Sequence, residues 1–254
     1  MSAATTPTET PVCLGPLVSF KTKAGEVPAL ENGDQLTAPE FRRRYEAMPH
    51  LKKAELINGV VHIMPWPVSY QRHASPHADL ITWLGFFRAN TPGVGVGDNT
   101  TLRLDLDNEP QPDASLLLLP EYGGRARFED DGFIAEGPEL VAEVSNTSVS
   151  IDLHAKLHVY RRAGIPEYLV WRVGDAAIDW FTLVGGHYQP APVGKDGVVK
   201  SGVFPGLWLD AAALLAGDMQ RVLAVAQQGV ASDEHKAFAA TLANKRRAFL
   251  SEGE

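Results

Sequence analysis

Three carboxylates and a lysine carry the chemistry that this sequence suggests. They are Glu55 in Ala-Glu-Leu-Ile-Asn-Gly, Asp113 in Gln-Pro-Asp-Ala-Ser, Glu143 in Val-Ala-Glu-Val-Ser, and Lys156 in Asp-Leu-His-Ala-Lys. Two of the carboxylates fall in or beside runs that read as buried strands. An ionised carboxylate is costly to bury unless it is paired or holds a metal. Carboxylates converging from separate strands, with a lysine nearby, are what metal-assisted phosphodiester hydrolysis requires. A nuclease is the leading reading.

In the run Leu140–Ser145, period-2 alternation puts Glu143 and Ser145 on one face and Ala142 and Val144 on the other. Asp113 opens the preceding strand, directly after Pro112. If the two strands pair, both carboxylates come within reach of one hard cation. Magnesium suits such a site, with manganese as its substitute, because it takes oxygen ligands and keeps several waters. The competing reading is two strand-end carboxylates bonded to turn amides. Lys156 lies on the next helix, about 60° from the Leu153, Leu157 and Tyr160 face at about 100° per residue. From that margin it reaches the metal site and orients water or phosphate. The alternative is an ordinary i, i+4 pair with Asp152, worth a few tenths of a kcal/mol. Glu55, just before a hairpin, is either solvated or a third oxygen for the metal.

The elements that must position these groups are legible in outline. Thr37-Ala-Pro-Glu-Phe reads as a helix start with Thr37 as cap and Glu40 three residues on. Asn58-Gly59 between Ala54–Ile57 and Val60–Met64 predicts a tight hairpin. From His77, the spacing of Leu80, Ile81, Leu84 and Phe87 predicts a helix that ends at Pro92-Gly93. Leu102, Leu104 and Leu106 alternate as in a half-buried strand over residues 100–106. Residues 113–119 and 140–145 read as central strands, with a polar loop over 121–137 between them and an exposed Glu129-Asp130-Asp131. Ser150 opens a helix that Gly164 closes. Strands follow over 167–173, 177–183 and 187–190, then a helical tail over 218–250. The expected fold class is α/β, with a central mixed β-sheet flanked by helices.

The composition fits one domain with appended ends, a loose leader over residues 1–35 and a helical extension over 216–254. Cys13 is the single cysteine, so no internal disulfide forms. The first residues lack the basic and apolar parts of a signal peptide, and no apolar run approaches the roughly 18 residues of a membrane helix. A soluble, cytoplasmic protein without membrane partners is expected. The net charge of -8 counts against a free-standing nucleic-acid binder but does not exclude one. Arg42, Arg43, Arg44, Lys52 and Lys53 form the densest basic group, which also reads as a solvated helix and loop. No HExxH helix, zinc spacing, P-loop or G-x-S-x-G elbow is present. Gly93-Val-Gly95-Val-Gly97 lacks the strand–turn–helix continuation of a nucleotide motif.

The chain from Leu36-Thr-Ala-Pro-Glu-Phe through Glu55-Leu-Ile-Asn-Gly, His77-Ala-Asp-Leu, Pro112-Asp113, Glu143-Val-Ser145 and Asp152-x-x-x-Lys156-x-x-x-Tyr160 resembles the Uma family of restriction-endonuclease-like proteins. This is the domain of unknown function 820, a branch of the PD-(D/E)XK nuclease superfamily. Ala163-Gly164-Ile-Pro-Glu167-Tyr168 and Phe204-Pro205-Gly206-Leu207 extend the resemblance, which covers about residues 36–215. It implies a restriction-endonuclease-like core, DNA as substrate, Asp113 and Glu143 as metal ligands and Glu55 as a third acidic member. The superfamily's lysine two positions after the glutamate is here Ser145, and Lys156 stands where the family places its lysine. His77 matches a position often held by histidine, as a phosphate or acid/base group or as a helix-start residue bonded to backbone or carboxylate. His73 is a second candidate for that role. Glu167, Tyr168 and Tyr160 read as structural. A homodimer would suit paired cuts, with the Ala-rich tail as its interface or simply as a cover for the core. The other reading of the whole chain is a catalytically silent nuclease fold used for binding or assembly.

Overall fold

Asn58 and Gly59 take φ of 52° and 74° and close the expected hairpin between β1 (Ala54–Ile57) and β2 (Val60–Ile63). The structure is a computed structural model describing residues 26–64 and 67–252, so most of the expected leader lies outside it. Residues 26–35 pack in part: Leu30 is buried and Gln35 bridges to Val60. Helix α1 (Ala38–Glu46) lays Phe41 on Leu56 and Val61 in a small core of its own. Thr37 occupies the N-cap position, but its side chain makes no capping bond. Glu40 turns to Arg43 and Arg44 instead, and their guanidinium groups hold its carboxyl down to about 2.

A π-helical turn (Tyr70–Ala74) runs into α2 (Ser75–Asn90), so the helical segment begins well before His77. Leu80, Leu84 and Phe87 are buried on α2, joined by Trp83. The next strands are β3 (Val94–Asp98) and β4 (Leu102–Arg103). The strand expected over 100–106 shrinks to these last two residues. Asp105 accepts from Asp107 N and Asn108 Nδ2, which turns the chain back and leaves Leu106 exposed. Then come β5 (Ala114–Leu118), β6 (Arg127–Phe128) and β7 (Ile134–Ala135). Strands β4, β7 and β6 form a small sheet where the sequence suggested only a loop, and Arg103 pairs there with Glu129 and Asp131.

Strand β8 (Leu140–Ser145) leads through a π-helical stretch (Ile151–Lys156) into α3 (Leu157–Arg162), and Gly164 closes the helix at φ 66°. Next come β9 (Glu167–Arg172), β10 (Ala177–Val184) and β11 (His187–Pro190), then the paired β12 (Val198–Lys200) and β13 (Trp208–Asp210). Helices α4 (Ala211–Leu215), α5 (Met219–Ala231) and α6 (Asp233–Glu252) end the described chain. None of the described helices is long and apolar enough to cross a membrane.

The fold is α/β, with a six-stranded mixed sheet in the order β11-β10-β9-β8-β5-β3 and helices against it. Within this sheet only β8 and β9 run parallel, because a helical crossover rather than a hairpin joins them. Leu140, Ala142 and Val144 meet Leu80, Trp83 and Leu84 in the larger core, which α5 also enters through Val222 and Ala226. Val141 faces the other way, toward Tyr160, Tyr168 and Val170. Each leucine or valine among them, fully buried, contributes about 1.5–3 kcal/mol. Glu143 therefore sits on the Val141 face, beneath the helix that carries Lys156.

The hairpin is tied to the rest through Leu56 and Glu109, which exchange backbone bonds. The Glu109 carboxyl is buried with Arg42 3.4 Å away. Burial pushes it up to about 7 against the pull of Arg42 and Arg103. The folded chain thus keeps a proton that the unfolded chain loses near 4.5. Stability from this group is complete below 4.5 and is lost as pH rises through 7. Glu109→Gln is expected to flatten that decline by roughly 2 kcal/mol, allowing for solvent screening. Urea unfolding at stepped pH reads the difference, and a profile parallel to wild type would clear Glu109 of this role.

Candidate active site

Strands β5 and β8 pair antiparallel with Ala114 opposite Ala142, which sets Asp113 beside the outer end of β8. Its Oδ2 accepts from Val144 N at 2.8 Å. Glu143 lies on β8, Glu55 on β1 and Lys156 at the end of the π-helical stretch. All four line a cleft of about 810 Å³, together with His73 and His77.

Lys156 is the centre of the cluster. Its Nζ donates to Oε1 of Glu55 and to Oε1 of Glu143, both at 2.9 Å, and stands 3.5 Å from Oδ1 of Asp152. None of the four residues exposes more than 3% of its surface. The lysine is thus not at the margin of a helical face, as about 100° per residue implies. Residues 151–156 are π-helical, so the ordinary periodicity does not hold across them. The i, i+4 pair with Asp152 exists as one contact within a larger buried network. Tyr160 does more than pack: its hydroxyl donates to Glu143 Oε1 at 3.0 Å.

Lys53 also belongs to the site. Its Nζ donates to Asp113 Oδ1 at 2.9 Å and to Asn99 Oδ1 at 3.3 Å. The signal for it was the two-residue spacing to Glu55, which places both on one side of an extended chain. Lys52 lines the same cleft, while the three arginines of that basic group are turned elsewhere: Arg43 and Arg44 to Glu40, Arg42 to Glu109.

His77 Nε2 lies 2.8 Å from the Asp113 carbonyl oxygen and 3.2 Å from Asp98 Oδ1. Both partners accept, so Nε2 carries a proton and the ring braces the Asp113 main chain. His73, with its ring centre 5.6 Å from that of His77, places Nδ1 3.1 Å from the Val144 carbonyl and Nε2 3.6 Å from Asp113 Oδ1. Glu55 Oε1 also accepts from Gln111 N at 2.7 Å, while its Oε2 is buried without a hydrogen-bond partner.

Burial pushes the Glu143 carboxyl up to about 8, against the pull of Lys156 and with the push of Asp152, Asp113 and Glu55. Burial also raises Asp113, but Lys53, His73 and the Val144 amide outweigh it and hold that carboxyl below its ordinary value. Burial opposes the charge on Lys156, yet Glu143, Glu55 and Asp152 keep it raised well above the ordinary lysine value. Tyr160 is raised well above the phenol range by burial and by Glu143, so its hydroxyl stays a donor.

Of the five carboxylates that line the cleft, Asp113, Glu143 and Glu55, the last with an unpartnered buried oxygen, fit a hard divalent cation. As placed, no three His, Cys, Asp or Glu side chains among the described residues gather around one point. The ammonium group of Lys156 stands between Glu55 and Glu143, and that of Lys53 on Asp113. A cation would enter this set in competition with the two lysines.

A family model described as "Uma2: Putative restriction endonuclease" matches residues 38–212. A solved structure from Anabaena variabilis, described as "a putative nuclease belonging to DUF820", aligns with a TM-score of 0.51 at 14% identity. The alignment covers 68% of this chain and 97% of that one, a likeness of fold. No curated protein matches the chain.

Proposed function

This chain belongs to the Uma2 family, and we propose that its cleft hydrolyses phosphodiester bonds of DNA with a divalent metal, magnesium or manganese, held by Asp113, Glu143 and Glu55. The observation that carries the proposal is the meeting of Glu55, Glu143 and Lys156 beside Asp113 in one open cleft. A hard cation there supplies Lewis-acid stabilisation of the charge that develops on the phosphoryl oxygens. Lys156 fixes the carboxylates of Glu55 and Glu143 and holds its third N–H toward Asp152, from which it can turn to an attacking water or a phosphate oxygen. Tyr160 holds Glu143 in place, and His77 holds the Asp113 main chain. Lys53, one-fifth exposed, can exchange Asp113 for a substrate phosphate.

Cleavage of supercoiled, linear and branched DNA by the purified protein is expected to require added magnesium or manganese, with saturable manganese binding by calorimetry. The pairing of each floor carboxylate with a lysine favours a second reading, a catalytically silent binding module. Absence of both cleavage and manganese binding would overturn the catalytic reading and leave that one.

A further inference from the structure

The cleft has two unlike sides. Its floor is the carboxylate and lysine cluster, while Met64, Pro67, Val68 and Ile81 give it an aliphatic wall. Hydrolysis of a backbone phosphate needs no apolar wall, since phosphate and sugar contacts are polar. A nucleobase face does need one. About 810 Å³ is the scale of a pocket that encloses a small molecule, not of a groove that seats a double helix. The charge at the mouth points the same way. Asp113 faces Lys53, while Glu55, Glu143 and Asp152 share Lys156 and Asp98 faces His77. Lys52 and Arg72, both exposed lining residues, have no carboxylate within 4.0 Å among the described residues. Both side chains are therefore open to phosphate oxygens. Between the lining residues Ser69 and Arg72 stands Tyr70, 74% exposed, with Val68 45% exposed nearby. An exposed aromatic two residues from an exposed arginine brings together the groups used to bind unpaired strands.

Resting on the nuclease reading of this same cleft, we propose that its substrate is an unpaired nucleic-acid strand: a single-stranded end, flap or frayed terminus. One base lies on the Met64, Pro67, Val68 and Ile81 wall, the next stacks on Tyr70, and Lys52 and Arg72 hold the phosphates between them. The geometry selects strand separation rather than base identity, because every base offers a flat face.

The test is binding of a short fluorescein-labelled single strand and of the blunt duplex of the same sequence to the full chain, with calcium replacing magnesium. The single strand is expected to bind at least about tenfold tighter, and Tyr70→Ala to lose about tenfold of that affinity. Tyr70→Phe, which keeps the ring, is expected to retain it. Because Tyr70 is exposed, its loss should leave the fold intact, which circular dichroism checks. Equal affinity for strand and duplex, or a Tyr70→Ala protein that binds the strand as wild type does, would overturn the proposal. If that happens while cleavage still depends on Asp113 and Glu143, only the substrate class falls. If strand preference holds while cleavage ignores those two residues, the catalytic reading falls instead.

Discussion

Asp113→Asn and Glu143→Gln are each expected to lower metal-dependent DNA cleavage by about a thousandfold while leaving the protein folded. Both changes keep the shape of the side chain and remove the charge that a cation needs. Their effects on stability differ for a physical reason. Glu143 is buried among Asp113, Asp152 and Glu55 and resists ionisation up to about 8, so a neutral amide there stands in for its protonated form. Lys156 keeps Glu55 and Asp152 as partners. Thermal unfolding of Glu143→Gln should match or exceed wild type. Asp113→Asn loses the pull of Lys53, which is one-fifth exposed and can be solvated. Cleavage at wild-type rates by both variants would place the chemistry elsewhere.

The second large effect is on the fold itself. Lys156→Met removes the cation between Glu55, Glu143 and Asp152, all buried. Removing one partner of a buried ion pair typically costs about 3–5 kcal/mol, because the remaining charges have neither water nor counterion. For a chain of this length that is a fall in Tm of about 10 °C. Adding Glu143→Gln should change that loss little, since this carboxyl already holds its proton up to about 8 and the stranded charges are those of Glu55 and Asp152. An unchanged Tm in the single variant would mean that the carboxylates shed their charge at no cost, and would remove Lys156 as their anchor.

How far the site could be read from the chain depended on what kind of information each residue carried. Asp113 and Glu143 were legible because Pro112 and the β8 alternation fix their positions locally. Their neighbour Lys53 was hidden in a basic run, and only the hairpin's attachment through Leu56 and Glu109 brings it to Asp113. Strand β3 was missed because Gly95 and Gly97 supply no side chains to make a pattern. They are small so that Leu117 and Ser115 of β5 can lie against them. The strand expected over 100–106 failed in the opposite sense: its leucines alternate, but the turn that Asp105 builds decides the path. The β9, β10 and β11 meander formed within a residue of the expected bounds, with Gly185 and Gly186 making the turn between β10 and β11.

The helix that carries Lys156 obeys two different periods along its length. From Leu157 onward it is an ordinary α-helix whose Tyr160 ring meets Tyr168 at 4.9 Å. Before that point it is wound one residue wider per bond. Residues inserted or lost in the wide part alter the aim of the charged groups without shifting the aromatic part along its neighbours. A change of length there would carry Lys156 away from Glu55 and Glu143 while the aromatic half stays in register.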